Sequence, residues 1–400
     1  MAELRTPPLA LYVHFPWCVR KCPYCDFNSH ALQGELPAQP YLARLLRDLE
    51  AQAASVGGRQ LSSVFFGGGT PSLFPPAAIG RLLEAAHALL GCAPGLEVTL
   101  EANPGTIERG VFSEYRAAGV TRVSLGAQSF AAASLAALGR IHSPAETQRA
   151  AAELHAAGLA NFNLDLMYAL PQQDRAGALL DVEQALALAP AHISHYQLTL
   201  EPGTLFAAQP PALPDEDLAA AMLDECAARL ATAGFARYEV SGYAQRGAQC
   251  RHNLNYWNFG DYLGVGAGAH GKLTHAARGL IERTTQWREP RRYLAAADSE
   301  LQRRAVARSE LPFEFMLNAL RLVDGFAADT FITRTGLSWQ AVTAPVQRAA
   351  ARGLLVAAAG RYRPSERGLQ FLNDLLLEFL PQNPEKSADS ALSMATPEVS

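Results

Sequence analysis

The sequence lacks the marks of secretion, membrane insertion and broad nucleic-acid binding. It contains no run of about 20 apolar residues, so it offers no membrane-spanning helix. Its start, Met-Ala-Glu-Leu-Arg-Thr-Pro-Pro, has no basic region followed by an apolar stretch and a cleavage site, and a cytoplasmic location is expected. Positive charge is not in excess: 34 Lys and Arg face 38 Asp and Glu, a net charge of -4 that gives no field for nucleic acid. Cysteine is scarce, six residues in 400, which excludes a disulfide scaffold. The rest is ordinary for a globular chain, with 49% hydrophobic and 18% charged residues, and its length suits one large domain with a smaller one.

Through residue 245, short β-rich runs alternate with alanine-rich amphipathic stretches. Strands are expected at Leu9–Phe15, Ser63–Phe66, Glu97–Leu100, Arg122–Gly126, Asn161–Leu166 and Ile193–Leu200, with a short one at Arg237–Val240. Helices are expected over Tyr41–Ala54, Ala77–Leu90, Glu108–Ala118, Ala145–Ala157, Arg175–Leu188 and Asp215–Ala233. Three of them end at Gly119, Gly158 and Gly234, where a left-handed cap is needed. Continuous apolar strands suit a parallel sheet covered on both faces, and unusual residues gather where strands end. The reading is α/β, a partial (β/α)6 barrel over 1–245. Residues 246–309 read as a connecting segment and 310–380 as a winged-helix-like module. Residues 381–400, rich in Ser, Pro, Ala and Glu, read as a disordered tail.

Three cysteines, Cys18, Cys22 and Cys25, fall within eight residues after the first strand. The spacing Cys-x3-Cys-x2-Cys lets one short loop hold three irons of a cubane and leave the fourth open for an amine and a carboxylate. Zinc is the competing reading, with His14 or His30 as a fourth ligand. Ordinary burial suits three clustered thiols poorly. Gly67-Gly-Gly-Thr-Pro71 follows the second strand. It lacks the Gly-Lys-Ser/Thr of a phosphate loop, and its bare backbone could approach an ammonium group.

These segments resemble the radical-SAM superfamily. Glu101-Ala-Asn-Pro, Gly126-Ala-Gln128-Ser-Phe, Arg140, Asn163-Leu-Asp165 and Tyr196-Gln-Leu-Thr-Leu-Glu-Pro-Gly-Thr204 narrow the resemblance to one branch. That branch holds the oxygen-independent coproporphyrinogen oxidases and their HemW-type heme-chaperone relatives. The resemblance implies a [4Fe-4S] cluster on Cys18, Cys22 and Cys25. It also implies an S-adenosylmethionine site lined by Tyr12, Tyr24, Gly68, Gly69, Thr70, Glu101, Gln128, Arg140 and Asp165. Chemically, Glu101 and Asp165 suit ribose hydroxyls or an ammonium, and Arg140 suits a carboxylate.

Within that branch the chain departs from the oxidases. They carry a fourth cysteine two residues after the third, where this chain has Phe27, and a longer N-terminal extension, whereas only eleven residues precede Tyr12 here. Arg251-His252-Asn-Leu-Asn-Tyr256-Trp257 fits the His-Asn-x-x-Tyr-Trp of the HemW-type proteins, where it is associated with heme. An imidazole can ligate heme iron and the aromatics can pack on a macrocycle; Cys250 is a second candidate ligand, and a histidine there also reads as structural. His270 reads as structural. The resemblance thus implies a chaperone that binds heme and passes it to apo-hemoproteins, those of the respiratory chain among them. A transient visit to the membrane and a homodimer are further expectations. The alternatives are a radical-SAM oxidase acting on coproporphyrinogen III or another porphyrinoid, and a metal-stapled winged-helix regulator, which the acidic balance opposes.

Overall fold

The computed structural model describes residues 3–106, 111–297 and 300–381. The start of the expected helix Glu108–Ala118 and nearly all of the expected tail lie outside these residues. Six parallel strands follow one another across the sheet in chain order: β1 (Leu9–Phe15), β2 (Leu61–Gly68), β3 (Cys92–Ala102), β4 (Arg122–Gln128), β5 (Phe162–Tyr168) and β6 (His192–Gln197). Helices Ala38–Ala53, Pro76–Leu90, Val111–Ala117, Pro144–Ala156 and Arg175–Ala187 connect them. Their order is that of consecutive crossovers, and the sheet ends in unjoined edges, so the barrel is partial.

Alternation explains why these strands look apolar throughout yet build a polar interior. Leu9, Leu11, Val13 and Phe15 of β1 join Val64, Phe66, Val98 and Leu100 in the main core. The opposite parity carries buried polar groups, among them His14, Ser63, Thr99, Ser124, Asn163, Asp165 and His192. Parallel pairing brings every C-terminal strand end to one side, and that side carries the site.

Segment 246–309 extends the same sheet. β7 (Asp261–Val265) lies parallel to β1 on the side away from β2, and three antiparallel strands, His270–His275, Leu280–Thr285 and Gln302–Ala305, continue outward. Two buried aspartates fasten this extension. Asp261 accepts from Arg59 (2.8 Å) and Lys272 (3.0 Å), and Asp48 accepts from Gln286 (2.7 Å), Tyr293 (2.8 Å) and the Gly266 amide (3.2 Å). The C-terminal module has its own core around Phe315, Phe326, Phe331 and Val342. Its three-stranded sheet pairs Phe326–Ala327 with Arg361–Pro364 and the latter with Leu355–Ala358 across the turn at Ala359-Gly360.

Candidate functional site

The strand ends enclose a cavity of about 470 Å³, within the range of cofactor pockets. After β1, Pro16 turns the chain, and Trp17–Cys18 pairs with His30–Ala31. Bonds from His30 N to Pro16 O (2.7 Å) and Leu32 N to Cys18 O (2.8 Å) close the loop between them. All three thiols of that loop, Cys18, Cys22 and Cys25, are free, half-buried and line the cavity. Burial pushes the Cys18 thiol up to about 11 and raises that of Cys25, so each becomes a ligand when a metal cation replaces its proton. Arg140 Nη1 stands 3.7 Å from Cys22 Sγ. The donor set fits a cubane held at three corners.

The histidines offered as a fourth zinc ligand are not at the cavity: among the described residues, no histidine lines it. His14 is engaged by Tyr12 Oη at 2.9 Å and the Asn28 carbonyl at 3.0 Å, and His30 meets Asn28 Oδ1 at 3.4 Å.

The glycine loop is held against the cysteine loop by the backbone. Gly69 N donates to Phe15 O (2.7 Å), and a methyl group on Gly69 would stand 2.6 Å from Trp17 O. Gly68 adopts φ +111°, a conformation open to glycine, and a methyl group there would meet the His14 ring at 2.5 Å. Glu101 Oε2 accepts from the Gly68 amide at 3.0 Å, fixing that carboxylate to the loop. At the end of β4, Gln128 sits at φ +66° and accepts from Tyr196 Oη at 2.7 Å, while Arg140 Nη2 donates to Gly126 O at 2.8 Å. Asp165 accepts from Asn163 (2.7 Å) and Ser124 (3.3 Å), and burial raises its carboxyl.

Tyr24, Gly68, Gly69, Thr70, Glu101, Gln128, Arg140 and Asp165 therefore share one cavity with the cysteines. Tyr12 lies outside the lining, buried between Phe65 and His14 and supporting the loop from below. Strand parity could have found Ser124, Ser194 and Tyr196, which line the cavity from the same face as Asp165. Arg321 also lines it, from the C-terminal module, and no sequence signal marked it.

Helix Arg251–Trp257 packs inside the sheet. Glu97 Oε1 accepts from the Arg251 (2.8 Å) and His252 (3.2 Å) amides at its start. His252 is 1% exposed, with Nδ1 at 3.0 Å from Ser63 Oγ and Nε2 at 2.9 Å from Tyr256 Oη, and burial lowers it to about 3. His252 and Tyr256 lie behind the cavity; Trp257 lines it. A buried polar chain runs from Asp165 through Asn163, His192 (2.6 Å) and Tyr238 (2.9 Å) to the Cys250 amide (3.3 Å) that precedes this helix.

Neutral buried imidazoles give the fold an acid sensitivity. His195, stacked on Tyr168 at 4.7 Å, is lowered by burial to about 3. Below the ordinary histidine value only the unfolded chain gains this proton, so stability falls with pH, by about 2 kcal/mol between pH 7.5 and 5. Urea denaturation of the metal-free protein at both pH values should show His195→Phe losing about that much less than the parent. Equal losses would mean that His195 is protonated in the folded state.

The chain is similar to known proteins over most of its length. Residues 12–185 match the Radical SAM superfamily, and residues 306–371 match the HemN C-terminal domain. In structure the chain resembles the coproporphyrinogen III oxidase HemN of Escherichia coli, described as a radical SAM enzyme. The TM-score is 0.79 over 94% of this chain and 90% of that one, with 22% identity, a likeness of fold. In sequence it is 48% identical to the heme chaperone HemW of Escherichia coli, over 95% of this chain and all of that one. It is 45% identical to that of Haemophilus influenzae, over 94% and 99%. With a radical SAM fold and this identity over nearly its whole length, the chain belongs to the HemW heme-chaperone family of the radical SAM superfamily.

Proposed function

We propose that the protein binds heme and delivers it to apo-hemoproteins, holding a [4Fe-4S] cluster on Cys18, Cys22 and Cys25 and S-adenosylmethionine beside it. The observation that carries this reading is that Trp257, from the heme-associated motif, lines the same cavity as the three cysteines. Two relatives of high identity carry the name heme chaperone. The cavity suits a flat apolar macrocycle: Val19 and Ile141 line it while 49% and 40% exposed, and Phe27 occupies the place of the oxidases' fourth cysteine. Glu101, Asp165 and Arg140 supply the hydroxyl, ammonium and carboxylate partners that S-adenosylmethionine needs. When bound, the cluster would supply an open iron for the amine and carboxylate of that cofactor. Among the described residues no helix is long and apolar enough to cross a membrane.

Axial ligation of heme by His252 requires that Tyr256 or Ser63 release a ring nitrogen. Tyr256→Phe frees Nε2 and should tighten hemin binding about threefold to tenfold, while His252→Ala should change the Soret band. Hemin titration of both variants and of Cys250→Ala tests this. Unchanged spectra in all three would mean that His252 locks its helix to β2 and that the iron is ligated elsewhere.

A further inference from the structure

The C-terminal module touches the cavity at one place. The Arg321–Val323 segment, just past helix Leu311–Ala319, docks on the chain that follows β6: Val323 N donates to Tyr238 O at 3.1 Å, and Leu322 bridges to Glu239. This docking sets the Arg321 guanidinium over the Trp257 ring, 4.2 Å from its centroid, and both residues line the cavity. The guanidinium meets Glu239 at 3.4 Å, a long contact with a carboxylate that already accepts from Ser241 N and Oγ at 3.0 Å each.

Two donors remain. Trp257 is 2% exposed, and its Nε1 finds no acceptor among the described residues; Arg321 Nε is likewise buried and unpartnered among them. An indole N–H and a guanidinium can only donate, so a ligand that completes them must bring oxygen acceptors. An unmet buried donor destabilises the empty cavity, a penalty that a bound acceptor removes. A guanidinium favours a planar anion that accepts two parallel bonds.

We propose that Arg321 and Trp257 Nε1 form a carboxylate-binding subsite of the cavity, and that it takes a propionate-type carboxylate of the tetrapyrrole. The proposal rests on the heme-binding reading above. The same chemistry could come from the methionine carboxylate of S-adenosylmethionine, but Arg140 stands beside Cys22 for that group, whereas Arg321 reaches the cavity from the segment docked on the chain after β6 and Trp257 from the helix held to β2. The subsite gives the C-terminal module a part in ligand binding: it supplies the cation that selects a carboxylated macrocycle over an uncharged one.

The test uses the full-length reconstituted protein and its variants Arg321→Gln and Trp257→Phe, titrated separately with hemin, hemin dimethyl ester and S-adenosylmethionine. The wild type should bind hemin at least tenfold more tightly than the ester. Arg321→Gln should lose about tenfold or more for hemin and little for the ester or for S-adenosylmethionine. Trp257→Phe, which keeps a ring and removes the N–H, should lose severalfold for hemin alone. Equal losses for hemin and its ester, or a loss confined to S-adenosylmethionine, would overturn the subsite and leave heme binding standing. A wild type that binds neither hemin nor its ester would overturn the heme reading and the subsite with it.

Discussion

Replacing Cys18, Cys22 and Cys25 together by serine should remove essentially all bound iron and sulfide from the anaerobically reconstituted protein. The three thiols line one cavity, and no histidine stands ready there to replace them among the described residues. Serine keeps the size of cysteine but is a far poorer ligand for iron, so the loss should be complete and not partial. The apo fold should survive, because the loop is closed by main-chain bonds at Pro16–His30 and Cys18–Leu32 and by the Asn28 side chain, which donates to Ala267 O and Arg288 O at 2.9 Å each. Iron and sulfide analysis, with circular dichroism as the folding control, checks this. A full iron complement in the triple variant, or stoichiometric zinc in the parent, would contradict the assignment.

Gly69→Ala should abolish tight binding of S-adenosylmethionine while leaving iron content near that of the parent. The added methyl group would lie 2.6 Å from Trp17 O and 2.9 Å from Phe15 O, both backbone atoms that cannot rotate away. The loop must therefore move, which breaks the Gly69 N to Phe15 O bond and displaces the neighbouring Gly68 amide from Glu101. Overpacking of this kind costs about 1–3 kcal/mol, and a similar sum lost from binding is roughly tenfold to a hundredfold in affinity. Gly80→Ala, at a glycine of ordinary φ whose added methyl group would meet nothing closer than 3.5 Å, is the control, and it should bind like the parent. Equal affinity in Gly69→Ala would mean that the glycine loop does not approach the cofactor.

The local signals in the sequence were strong where the chemistry is local. β1 occupies Leu9–Phe15 as read, and the helix beginning at Arg175 ends one residue earlier than expected, at Ala187. The cysteine spacing and the glycine run both sit at strand ends, where side-chain period and turn residues leave a mark that one sequence can show. What stayed hidden depends on pairing between distant segments. β7 lies against β1, some 250 residues away in the chain, and no periodicity states which edge a strand will join. Residues Arg251–Trp257 read as a motif within a connecting segment, yet their helix packs within the sheet and brings Trp257 to the cavity. The two partners of the His252 imidazole, Ser63 and Tyr256, were hidden for the same reason, since one of them lies on a distant strand. Arg321 was invisible for the same reason: its meaning comes from the docking of a second module.

The proposed passage of heme from this cavity to another protein can be followed by mixing the hemin-loaded, cluster-reconstituted protein with a soluble apo-hemoprotein and recording the recipient's Soret band. The recipient should fill at a rate that rises with its own concentration, as a transfer complex requires, and faster than it fills from a hemin-loaded carrier protein that merely releases heme. Filling at a rate independent of recipient concentration, set only by release of heme into solution, would contradict the account.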